Sequence, residues 1–137
     1  MATPPKGLIG TPLARGAAGE FRIRDHDMGL KLRAGKPTDL ALVKATLDPG
    51  GYTGWHGHAG PSLVVVKTGT LTMYQPHSHW CSVETFGPGK AFTHPTDVHN
   101  FVNLGTEVVE FYIVYFLPAG ASPAPIDEPV VPAGCPA

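Results

Sequence analysis

Two histidines one residue apart, His56 and His58, stand in the middle of the chain in TGWHGHAGPSLVVVKTG, residues 53–69. In an extended strand residues i and i+2 point to one face, so both imidazoles project side by side and Gly57 turns away. Two such nitrogens can share one metal ion at about 2.0–2.1 Å. An HxH pair alone is a weak signal, because two half-exposed histidines at a strand end read the same way. Its flanks strengthen it: the turn DPGG precedes the pair and KTG follows it. His99 lies in a later strand, and closure of a barrel brings it opposite the pair.

Other side chains could serve the same centre. Glu84, if it points inward, is a carboxylate ligand or a general base. His94 reads as a loop histidine before Pro95, or as a second base. Asp97 is a turn former that could also orient His99. His77 and His79 form a second HxH, read as a solvated loop pair, with a lid or an accessory metal site as the alternative. His26, between Asp25 and Asp27, reads as surface, and Trp55 as core or dimer interface. Ser62, Tyr74, Phe92, Phe101 and Tyr112 are the candidates for a small pocket wall, and Phe116 for the barrel lining.

The elements that must hold these residues are strands. No long stretch carries apolar residues at helical spacing. Short β-rich runs recur instead, at 39–47, 62–69, 70–75, 80–86, 98–105 and 107–117, separated by Gly and Pro turns. The run 107–117 is the longest and reads as a strand buried on both faces. The spacing predicts an all-β sandwich or barrel. Residues 1–18 read as an irregular lead-in, with 20–25 a candidate edge strand; 19–118 form the barrel domain. Residues 119–137 form a Pro-rich tail, an extended arm or a loose end.

The totals narrow the classes. A chain of 137 residues fits one domain and can bury a core without staples. The 17 glycines and 15 prolines, without a collagen period, suit many turns. A net charge of −1 with no basic face gives no nucleic-acid surface, and no apolar run reaches bilayer length. Residues 1–16 lack the apolar region of a secretory signal, so the cytoplasm is the expected location, with secretion through a signal outside this sequence as the alternative. Cys81 and Cys135 are expected as free thiols in a reducing cytosol, the alternative being one disulfide that ties the tail down.

One family pattern resembles this arrangement closely. Gly50, five residues, His56-Gly57-His58, three residues, Ser62, six residues and Gly69 resemble the first cupin motif at every position but one, where the family has Glu. His99, three residues and Asn103 resemble the end of the second motif; Pro95 sits one residue closer to the histidine than the family places it. The likeness spans residues 38–117 and is to small single-domain bacterial cupins. It implies a double-stranded jelly-roll barrel with His56, His58 and His99 as metal ligands. The Glu ligand does not carry over, since a serine hydroxyl is a poor ligand for a first-row ion. Three neutral imidazoles leave a divalent centre at +2, which favours an anionic ligand.

The expected cofactor is therefore one divalent transition metal, Fe(II) foremost, with Zn, Ni, Mn or Cu as alternatives. The expected activity is on a small anionic or chelating organic substrate, as in the three-histidine dioxygenases of the family. The alternative is a cupin module that binds metal or a small ligand without turnover. The expected partners are a small molecule and a second copy in a homodimer.

Overall fold

The computed structural model of the chain describes residues 4–128 and 130–136. Residues 1–3 of the expected lead-in, and Pro129 and Ala137 of the tail, lie outside the described residues. Among the described residues ten strands form: β1 (Lys6–Asp25), β2 (Leu30–Tyr52), β3 (His56–Gly57), β4 (Ser62–Thr68), β5 (Leu71–His77), β6 (Trp80–Phe86), β7 (Ala91–His94), β8 (Asn100–Val102), β9 (Val109–Pro118) and β10 (Ile126–Asp127). No helix among the described residues is long and apolar enough to cross a membrane.

Eight strands join one antiparallel sheet in the order β6-β5-β8-β2-β9-β4-β7, with β1 on the free edge of β2. The other edge of β2 is shared. Thr38–Leu47 pair with β9, and Tyr52 pairs with Val102 of β8. The sheet therefore divides at this point into two wings, which curl toward each other. They meet where Phe86 of β6 stacks on Phe92 of β7, ring centres 3.9 Å apart. The inward residues of both wings, including Leu47, Val64, Val66, Leu71, Met73, Val109 and Phe111, make one core.

Three expectations about the strands are corrected. Residues 6–18 are not irregular: they are the first half of β1, paired with β2. Their Gly, Ala and Pro residues have no alternating apolar face, so nothing in the pattern marks them; backbone hydrogen bonds to β2 hold them, with bulges absorbing the irregularities. Pro12 is tolerated because this is an edge strand. The cluster Asp48-Pro49-Gly50-Gly51 does not end its strand. It is a bulge within β2, with Gly50 at φ 74°.

The third correction is β9, which is not buried evenly on both faces. Phe111, Ile113 and Tyr115 point inward and are buried, while Glu110, Tyr112 and Val114 are half-buried on the outside. The outer side is apolar in places because Val114 lies in one register row with Leu42 and Leu63 on its two neighbours.

The tail is an extended arm that crosses back over the barrel. Ile126 and Asp127 pair with Gly57 and His56, and the Glu128 N–H donates to the Trp55 carbonyl at 2.9 Å. Its end is tied covalently, since Cys135 is disulfide-bonded to Cys81 on β6. The expectation of free thiols is thus overturned. Folding the arm back places two cysteines 54 residues apart with Cα atoms 5.0 Å from each other, within bonding reach.

Candidate metal centre

The three histidines are assembled by backbone pairing. His56 and His99 form an antiparallel bridge: the His56 N–H donates to the His99 carbonyl at 3.0 Å, and the His99 N–H to the His56 carbonyl at 2.9 Å. Residues opposed this way carry their side chains on the same face. His58 follows two residues on. The ring centres lie 4.3 Å (His56 to His99), 4.8 Å (His56 to His58) and 5.7 Å (His58 to His99) apart. One nitrogen from each ring lies within 4.8 Å of the others, a group that could hold one metal ion.

The glycines around the pair are demanded by close approaches. A Cβ on Gly57 would sit 2.9 Å from the Thr96 carbonyl oxygen, and one on Gly60 would overlap that of Phe116. Side chains at either position would push His58 out of place.

Hydrogen bonds fix the imidazole tautomers. His56 Nδ1 lies 2.8 Å from the Gly54 carbonyl, and His99 Nδ1 3.0 Å from the Asp97 carbonyl. A carbonyl only accepts, so each Nδ1 carries the proton and Nε2 keeps its lone pair. The backbone of Asp97, rather than its carboxylate, thus orients His99. His58 leaves Nδ1 buried with no hydrogen-bond partner.

Burial pushes His99 well below its ordinary pKa, pushes His58 down to about 4, and lowers His56 and His94. All four rings are therefore neutral at pH 7, the state in which imidazole ligates. The metal-free protein should lose stability on acidification for the same reason. Below pH 6.5 the unfolded histidines take protons that the folded ones still refuse. Stability is full above that pH and is lost as pH falls toward about 4. His58 alone accounts for roughly 3 kcal/mol of this. Thermal melts of the metal-free protein should show Tm falling steeply between pH 6.5 and pH 5; a flat profile there contradicts the account.

A cavity of about 450 Å³ opens on His56 and His58. Its walls are apolar, with Phe101, Phe111 and Ile113 behind; Leu8 of β1 and Ser122–Pro125 of the tail close it in front. Among the described residues no lysine or arginine lines it. Tyr115 stands in its wall, ring centre 4.8 Å from His58. Burial raises the Tyr115 pKa, so its phenol stays protonated.

The other expected site residues divide. Phe101 lines the cavity with its ring 4.7 Å from His99, and Ser62 is buried on the inward face of β4. Phe92 packs against the core. Tyr112 does not face inward: strand parity turns it outward, where its hydroxyl donates to Glu110 at 3.0 Å. Tyr74 lies on the opposite face of β5 from the buried Met73 and is not in the cavity wall. Glu84 is exposed on β6 and supplies neither a ligand nor a base to the centre. His94 is no loop residue. It ends β7, buried, with its ring centre 3.8 Å from that of His99. His77 and His79 are exposed at the β5–β6 hairpin, with His77 stacked on Trp80.

Sequence reasoning missed Tyr115 and preferred Tyr112. Parity along β9 separates them, but reading that strand as buried on both faces removed the parity signal.

No protein-family model matches the chain, and no curated protein is significantly similar to it in sequence. Solved structures are similar in shape. A cupin domain from Bordetella pertussis Tohama I is 23% identical at a TM-score of 0.54, over 85% of this chain and 97% of that one. The cupin domain of an XRE-family transcriptional regulator from Enterobacter cloacae is 17% identical at 0.53, over 82% and 97%. An oxalate oxidase, solved in complex with the substrate analogue glycolate, is 17% identical at 0.59, over 88% of this chain and 54% of that one. At these identities the likeness speaks for the fold, and the fold of this chain is that of a cupin.

Proposed function

We propose that the chain holds one divalent transition metal, Fe(II) foremost, on His56, His58 and His99 and acts on a small chelating anion as a dioxygenase. The observation that carries this reading is the cluster of three buried imidazole nitrogens within 4.8 Å of one another beside an apolar cavity. A bound ion would supply Lewis acidity and, if iron, a redox partner for dioxygen. With no carboxylate among the three ligands and no lysine or arginine in the cavity wall, the ion is the one positive charge that draws an anion in. Phe101, Phe111 and Ile113 exclude water and receive the apolar body of the ligand. Tyr115, kept protonated by burial, donates a hydrogen bond toward a ligand oxygen. The oxalate oxidase solved with glycolate lends support to a small oxygen-donor ligand.

A second reading, binding without turnover, draws on the exposure of Glu84, which takes that expected base away from the centre. Oxygen uptake separates the two. Iron-loaded protein is mixed with β-diketones, small thiols and phenolic acids in an oxygen electrode. Uptake with one class, lost on iron removal, supports the dioxygenase. Perturbation of the metal spectrum without uptake across all classes supports the binding module.

A further inference from the structure

We propose that His94 is a fourth ligand of the metal centre, standing in for the carboxylate that Ser62 does not supply. This rests on the three-histidine metal reading above. The argument begins with register. Ser62 of β4 pairs directly with His94 of β7, and on its other side with Tyr115 of β9. Side chains paired across antiparallel strands share a face. Ser62 lies on the inward parity with Val64 and Val66, so His94 points into the barrel beside it. The position at which the cupin pattern has Glu is thus filled by a short hydroxyl, and the next strand brings an imidazole to the same spot.

The state of the ring is that of a ligand. His94 is 3% exposed. Its Nδ1 donates to the Pro95 carbonyl at 2.6 Å, which leaves Nε2 with a free lone pair. That Nε2 is buried and has no hydrogen-bond partner. His56 and His99 likewise have Nδ1 held by a backbone carbonyl. A backbone carbonyl on the far nitrogen is the usual support of a metal-bound histidine. The His94 and His99 ring centres are 3.8 Å apart. The His94 nitrogen lies outside the group of three that falls within 4.8 Å, so engagement requires its ring to move toward them. A fourth neutral imidazole fills the place of an anionic ligand without changing the +2 charge. It leaves two positions of a six-coordinate ion for a bidentate anion.

The test uses the full chain loaded with one equivalent of Cu(II). Pulsed EPR counts the bound imidazoles, and chelator competition gives the affinity. The expected results are four imidazoles in the parent and three in His94→Gln, with affinity weakened roughly 10–100-fold. Adding Ser62→Glu to His94→Gln should recover affinity while the count stays at three. Three imidazoles in the parent, a measurement that needs no variant to fold, overturns the proposal. So do an unchanged count and affinity in His94→Gln. A parent that binds no copper at the histidines overturns the metal reading beneath it, which is a distinct result.

Discussion

Replacing His99 with alanine should weaken metal binding by about 100-fold or more while leaving the barrel assembled. His99 is the hub of the cluster, 1% exposed and in ring contact with His56, His94 and Phe101. Its loss leaves two of the three grouped nitrogens, both on one side of the site. The pairing that builds the site does not depend on the side chain, because the bridge to His56 is made by backbone groups. Co(II) titration followed by absorbance reads the affinity, and circular dichroism reads the fold. Binding as tight as the parent's would mean that the ion sits elsewhere.

The second large effect is on stability and lies at Asn103. This side chain is fully buried. Its Nδ2 donates to the Leu47 carbonyl at 2.9 Å and the Glu107 carbonyl at 2.7 Å, and its Oδ1 accepts from the Gly105 N–H at 3.0 Å. It thereby pins the turn after β8 to β2, where the two wings of the sheet divide. Asn103→Ala leaves these backbone groups without partners in the interior and should cost about 3 kcal/mol. For a domain of this size the melting temperature should fall by about 10 °C. Asn103→Asp should lose nearly as much, because a carboxylate accepts from Gly105 but cannot donate to either carbonyl. A drop of less than about 2 °C in the alanine variant would contradict this role. The Asn that ends the family's second motif is, in this chain, a structural clamp rather than part of the metal site.

The three histidines were legible because each rests on a local rule. Strand alternation pairs His56 with His58, and the motif spacing singles out His99. The strands 62–68, 80–86 and 109–118 were legible from apolar runs bounded by Gly and Pro. What escaped depends on long-range placement. The first half of β1 has no alternating face, and only its partner β2 makes it a strand. The disulfide depends on an arm that turns back across the barrel. His94 precedes a proline and reads as a loop residue until the register with Ser62 is known. Glu84 and Tyr112 were misplaced because a single strand's sequence does not say which of its faces meets the core.

The central claim is that His56, His58 and His99 bind one ion together. Anomalous diffraction at the metal edge, from crystals of metal-loaded protein, tests it most directly. The account predicts one peak bonded to a nitrogen of each of these three histidines at about 2.0–2.1 Å. A loaded crystal with its only peak elsewhere, such as at the exposed His77 and His79 hairpin, would contradict it.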